Sequence, residues 1–202
     1  MEIKSKGRFK VIISHGQESG PWGTKIQRLA GLAEGTFGAA VESIDYRGLG
    51  DPDDRVVRLV ARLDELAGAG ASEGSGRAGV QTRPDPIVLV GSSMGGYVAL
   101  MAAAARPVVG VFLMAPALYM PGYACQDPPA LDCPVTLVHG DADEIIPPGH
   151  IIRYAAGASC DLHLIPGDHR LASALEGVLD RFEAFLDGLG ADRVPIPVVV
   201  AP

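Results

Sequence analysis

Ser93 stands at the centre of Gly91-Ser92-Ser93-Met94-Gly95, a G-x-S-x-G pattern, and its context gives that spacing a mechanical meaning. The apolar run Val88-Leu89-Val90 precedes it and the alanine-rich run 98–105 follows it, so the stretch reads as strand, sharp turn and helix. Glycines two residues to either side of Ser93 remove the Cβ atoms that would clash in so tight a reversal. The turn lifts the serine hydroxyl clear of the sheet and sets the Met94 N–H at a helix N-terminus, where developing negative charge is favoured. The alternative is a tight turn whose glycines only let helix and strand pack closely. A phosphate-binding loop is excluded, because the stretch lacks the lysine and the four-residue gap between glycines.

A serine hydroxyl is protonated at neutral pH and needs a neighbouring base, a task for which histidine has the right pKa. The chain has five histidines. His15 and His139 each precede a glycine at the end of an apolar run and read as turn-shaping side chains. His163 falls inside an apolar run and His150 at an exposed helix start. His169 lies in the Gly167-Asp168-His169 turn before the last helical stretch. Two carboxylates in His139-Gly140-Asp141-Ala142-Asp143 could orient an imidazole and stabilise its cation, Asp143 or Asp141. Asp168 is adjacent in sequence to His169, a poor geometry for orienting the ring, and is expected to pin the loop. The spacing of His139, Asp141, Asp143 and His169 matches no zinc or EF-hand pattern, so neither a metal nor another cofactor is expected.

These residues need elements to position them. Short strand-like runs lie at 9–14, 40–45, 87–90, 108–114, 135–138 and 161–165, and the first of them lacks polar alternation, as a strand covered on both faces does. Helical stretches alternate with them. One is opened by Thr24 as N-cap and stopped by Gly35; another starts at the Asp51–Asp54 carboxylates and buries Val56, Val60, Leu63 and Ala67. The serine helix ends at Arg106-Pro107, a further helix spans 148–156, and the last carries apolar residues from Leu171 to Leu189 with Gly190 past its end. The fold class is therefore α/β: a three-layer, open, mostly parallel sheet with helices on both faces. In such sheets function lies at the C-terminal ends of strands, where the loops at His15, Arg47, Ser93, Asp143 and His169 all fall.

The 202 residues suit one domain, spanning 1–190, with a Gly-, Ala-, Ser- and Pro-rich surface loop over 68–86 and an unassigned tail over 191–202. A formal net charge of −7 argues against nucleic acid or an anionic membrane as partner, since both attract basic surfaces. Cys125, Cys133 and Cys160 form neither a disulfide framework nor a zinc knuckle. With no apolar stretch after the charged N-terminal residues, a cytoplasmic location is expected.

Together the H-G turn at His15, the D-x-R-G-x-G stretch from Asp45, the G-x-S-x-G turn, H-G-x-x-D from His139 and G-D-H at Gly167 resemble the α/β-hydrolase family, in its chain order of nucleophile, acid and histidine. The likeness covers nearly the whole chain apart from the 68–86 loop and the tail. It looks like the small, nearly lidless esterases and acyl-thioesterases of that family, with a short N-terminus. The resemblance implies Ser93 as nucleophile, His169 as base and Asp143 as acid, with Asp141 the rival for the last role. It places the second oxyanion donor at the Gln17 N–H beside that of Met94, and gives Asp45 and Arg47 a role in bracing the loops. Trp22 and Tyr119 are the candidates for lining a substrate pocket. The implied substrate is a small carboxylic ester or thioester. A catalytically silent binding module, or a peptidase or lyase on the same fold, is the alternative.

Overall fold

A computed structural model describes residues 9–72 and 85–191, with side chains described over 9–68 and 85–190. Six strands, β1 (Lys10–Ser14), β2 (Ala40–Ile44), β3 (Ile87–Ser92), β4 (Gly110–Met114), β5 (Val135–Gly140) and β6 (Asp161–Ile165), form one sheet in the order β2-β1-β3-β4-β5-β6. Every neighbouring pair is parallel. The helices are α1 (Thr24–Phe37), α2 (Pro52–Ser72), α3 (Met94–Ala105), α4 (Pro148–Gly157) and α5 (Leu175–Ala191).

Strand residues alternate between two cores, because successive side chains point to opposite faces. Val11, Ile13, Val88, Val90, Phe112 and Met114 pack against α1 and α5. Ile12, Leu89, Val111, Leu113 and Leu137 pack against α2, α3 and α4. The inner strands are apolar on both sides for this reason, and the expected three-layer architecture is what the chain forms. Helix α3 is buried on nearly every side, from Met94 to Ala102, and its small side chains let it sit close to β3 and α2.

Several local expectations change. Gly23, not Thr24, is the N-cap of α1 and makes no side-chain cap, and the helix passes Gly35 to end at Gly38, whose φ of 65° is left-handed. On α2, Arg55, Leu59 and Leu63 are buried and the expected Val56 and Val60 pack partly buried beside them, while Ala67 is exposed; the helix continues to Ser72, into the stretch expected to be loop. Asp51 opens α2 by accepting the Asp53 and Asp54 N–H groups at 2.8 and 3.2 Å. Helix α5 begins at Leu175 and runs through Gly190; Leu171 stays outside it, fully buried in a turn with a φ of 56°. The rest of the 68–86 loop, from 73 to 84, and the tail from 192 lie outside the described residues.

The order of strands places the decisive crevice. From β1 the chain crosses to β2 on one side, then returns to add β3 on the other, so the connections leaving β1 and β3 diverge. Open sheets bind ligands at such a switch point. The turns after β1 and β3 carry His15-Gly16-Gln17 and Ser93.

Candidate active site

Ser93 is the N-cap of α3 with φ 55° and ψ −124°, a conformation that costs an L residue about 1–3 kcal/mol and persists only where the surroundings impose it. Here three close approaches do so. A Cβ on Gly91 would lie 2.5 Å from the Gly95 carbonyl oxygen, one on Gly95 would overlap the Ser14 carbonyl, and one on Gly96 would lie 2.6 Å from Pro116 Cβ. The Ser93 N–H donates to the Met114 carbonyl at 3.0 Å, and the Ser93 carbonyl accepts from Gly96 at 2.8 Å and from Ala117 at 3.0 Å. The serine is thus held between β4 and the first turn of α3.

His169 reaches it from the turn after β6. Its Nε2 is 2.9 Å from Ser93 Oγ, and its Nδ1 is 2.8 Å from Asp143 Oδ2. Asp143 is buried in the turn after β5, where Oδ1 accepts the Ile145 and Ile146 N–H groups at 2.9 and 2.8 Å. A carboxylate can only accept, so the Nδ1 of His169 carries the proton and the lone pair of Nε2 faces the serine hydroxyl. Residues distant in sequence, 93, 143 and 169, form one hydrogen-bonded relay.

Asp141 does different work. Its Oδ1 accepts the Gly167 N–H at 3.1 Å and so ties the acid turn to the histidine turn. Asp168 accepts the Arg170 and Leu171 N–H groups, both at 3.0 Å, which fixes the turn around His169. Lys25 of α1 adds a tie from the other side by donating to the Arg170 carbonyl at 3.2 Å. Burial pushes the Lys25 ammonium down to about 8, against the pull of Asp168 and Asp143.

A Cβ on Gly16 would lie 3.3 Å from Ser93 Cβ, so the turn after β1 runs directly against the serine. The N–H groups of Gln17 and Met94 have no acceptor among the described residues. His15 shapes that turn as expected: Nδ1 donates to the Gly16 carbonyl at 2.7 Å and Nε2 accepts the Tyr46 N–H at 3.2 Å. Burial lowers its pKa, so the ring is neutral.

The bracing role assigned to Asp45 and Arg47 falls elsewhere. Their side chains bond to each other, and it is the Asp45 main-chain carbonyl, not its side chain, that accepts from Arg58 of α2 at 2.7 Å. Arg55 braces the loops instead: it is buried, donates to the Leu49 carbonyl at 2.7 Å and to those of His15 and Gly16 at 3.4 Å, and covers the Tyr46 ring at 5.2 Å. Sequence reading missed it, although Arg55, Leu59 and Leu63 recur every fourth residue on one helix face.

The segment 115–134 is anchored beside the serine. Tyr97 donates to Asp53 Oδ1 at 2.7 Å, and Asp53 Oδ2 accepts the Ala124 N–H at 3.0 Å. The Tyr97 and Tyr123 rings meet edge to face at 4.7 Å. His150, half-buried where an exposed helix start was expected, bonds the Leu118 carbonyl through Nδ1 at 2.8 Å. Tyr119 has a φ of 57°, packs edge-on against His150 and lies under the Arg153 guanidinium at 4.0 Å. Trp22 is 48% exposed on the turn that follows Gln17. The broad surface clefts between β2 and α2 and beside the end of α3 include neither Ser93 nor His169. Among the described residues no three His, Cys, Asp or Glu side chains are grouped to hold a metal ion, and no helix is long and apolar enough to cross a membrane.

The alpha/beta hydrolase family model matches residues 11–201. The chain belongs to this family. Among solved structures, the "putative hydrolase of the alpha/beta superfamily" from Xanthomonas campestris pv. campestris is 32% identical, with 90% of this chain and 99% of that one covered at a TM-score of 0.70. Est1E from Butyrivibrio proteoclasticus shares the alpha/beta hydrolase fold at 18% identity, with 92% of this chain and 90% of that one covered and a TM-score of 0.72. A curated relative, "Putative esterase NocK" of Nocardia uniformis subsp. tsuyamanensis, is 33% identical over 125 residues, which are 62% of this chain and 33% of NocK. The match thus spans about a third of that relative's length.

Proposed function

We propose that this alpha/beta hydrolase is a serine hydrolase that cleaves small carboxylic esters or thioesters through an acyl-enzyme on Ser93. The observation that carries the reading is the relay through His169, 2.9 Å from Ser93 Oγ and 2.8 Å from Asp143 Oδ2. The esterase name of the NocK relative favours the same class.

In this reading Ser93 Oγ attacks the carbonyl carbon as its proton passes to His169 Nε2. Asp143 keeps the imidazole in the required tautomer and stabilises the imidazolium. The oxyanion forms against the N–H groups of Met94 and Gln17, each such donor being worth about 3 kcal/mol in the transition state. When the tetrahedral adduct collapses, the Nε2 proton goes to the departing alcohol or thiol, and Ser93 is left acylated. Water then repeats the sequence: His169 takes its proton, the hydroxide oxygen bonds the acyl carbon, and Ser93 leaves with the proton returned. Trp22 and Tyr119 flank the substrate in this scheme, one after each of the turns nearest Ser93. The anchored 115–134 segment favours short acyl groups over long ones, and a soluble cytoplasmic setting suits such substrates.

The test is labelling with a fluorophosphonate probe and peptide mapping, on wild type and Ser93→Ala, with p-nitrophenyl acetate turnover in parallel. An adduct on Ser93, lost in the variant together with about 10⁶-fold of kcat, is the expected result. Folded wild-type protein with neither adduct nor turnover would shift the reading to a binding module. A series of p-nitrophenyl esters tests the substrate, and strong preference for long chains would overturn its size.

A further inference from the structure

His139 is fully buried at the C-terminal end of β5, and the acyl-transfer scheme gives it no proton to move. Its Nε2 lies 2.9 Å from the Ile146 carbonyl oxygen and 3.3 Å from Asp143 Oδ2, while its Nδ1 is buried without a partner among the described residues. A carbonyl oxygen only accepts, so Nε2 carries the proton. A second proton on Nδ1 would be an unanswered donor on a buried cation, so the ring is neutral. Burial lowers its pKa, and His169 and His150 push the same way. The Ile146 carbonyl and Asp143 oppose them, and the charges of Asp143 and Lys25 of α1 act on each other.

The Ile146 carbonyl held by this ring belongs to the residue whose N–H donates to Asp143 Oδ1 at 2.8 Å. His139 and Ile146 therefore close the turn around the carboxylate from its two ends. The Nε2–H also faces Oδ2, the oxygen that receives the Nδ1–H of His169. An apolar side chain could fill the same space without stranding a nitrogen. What histidine adds is the Nε2–H donor.

We propose that His139 is a positioning residue: its Nε2–H pins the Ile146 carbonyl and so fixes Asp143 Oδ2 on the His169 Nδ1–H. Its consequence for turnover rests on the serine hydrolase reading; its consequence for the Asp143–His169 hydrogen bond does not.

The test pairs His139→Gln, whose side-chain amide can put an N–H at the Nε2 position, with His139→Met, of equal length and without a donor. Two readouts are taken on folded protein: p-nitrophenyl acetate kinetics, and the low-field proton resonance of the His169 Nδ1–H. His139→Met is expected to lower kcat at least about tenfold with KM within about twofold, as a slight misplacement of a catalytic group does, and to shift or broaden the resonance. His139→Gln is expected to restore the resonance and bring kcat within about threefold of wild type. Equal kcat and equal resonance in the two variants, whether both resemble wild type or both are impaired, would overturn the proposal and leave His139 a packing residue. If His139→Met does not fold, His139→Asn replaces it, because its shorter amide reaches only the Nδ1 position; equality with His139→Gln again overturns the proposal. If wild type neither turns over ester nor labels on Ser93, the hydrolase reading fails while the resonance still decides the role of His139.

Discussion

Gly140 and Gly167 meet backbone to backbone: a Cβ on Gly140 would overlap the Gly167 carbonyl oxygen and lie 2.6 Å from that of Asp168. The same approach allows the Ala142 N–H to reach the Gly167 carbonyl at 3.0 Å and the Asp141 N–H to reach that of Ile165 at 2.9 Å. The turn bearing Asp143 and the turn bearing His169 are thus one packed unit, and the 2.8 Å bond between those residues depends on the absence of a side chain at Gly140.

Gly140→Ala should therefore act on the site through the backbone. The methyl group must displace the turn before His169, at a cost of about 1–3 kcal/mol in stability. A displacement near 1 Å should cost about 100-fold in kcat/KM. Urea unfolding and p-nitrophenyl acetate hydrolysis measure the two effects, and a variant with wild-type turnover would show that the turns are not coupled.

Asp143 and Asp141 are separated by their replacements. Asp143→Asn leaves a side chain of the same shape but gives His169 an amide in place of a carboxylate, and kcat should fall about 10⁴-fold. Asp141→Asn keeps an oxygen that can accept the Gly167 N–H, so its loss should stay within about tenfold, the worth of one modest hydrogen bond. Equal losses in the two variants would contradict the assignment of the acid to Asp143.

Lys25 makes stability depend on pH in a stated direction. Its folded value of about 8 lies below the ordinary 10.5, so between these values the unfolded chain binds the proton and the folded chain does not. Stability from this group therefore rises with pH across that window, and the penalty is fully present below about pH 8. Lys25→Gln, which can still donate to the Arg170 carbonyl, should remove that slope. It should also gain about 1 kcal/mol at pH 7, a figure discounted for the half-buried position of the lysine. Unfolding free energies across this pH range, compared between wild type and variant, supply the measurement; identical slopes would rule the effect out.

The sequence carried the strand and helix alternation, the parallel sheet, and the turn at Ser93, because each rests on local chemistry. Val88-Leu89-Val90 is apolar on both faces wherever it sits in the sheet, and only glycine tolerates the approaches at Gly91 and Gly95. Element ends were less legible. Gly35 did not stop α1, since a glycine within a helix costs only about 1 kcal/mol and the packed face of α1 offsets it. Leu171 fitted the helical period of α5, yet it is buried from a left-handed turn that the Asp168 side chain shapes.

Contacts between distant residues were decided by the tertiary structure. That Arg55 braces the turn after β1 while the Asp45 and Arg47 side chains pair with each other depends on how α2 lies against β1 and β2, which spacing along the chain does not encode. Asp141 and Asp143 sit in the same turn and are chemically alike. Only the close packing of Gly140 on the histidine turn points one carboxylate at His169 and the other at the Gly167 N–H. Residue types and local spacing determined which groups could do chemistry here, because backbone sterics act over a few residues. Which of them touch was settled by the order of strands in the sheet, because only the side-by-side run of β3, β4, β5 and β6 brings residues 93, 143 and 169, at the C-terminal ends of β3, β5 and β6, within hydrogen-bond distance.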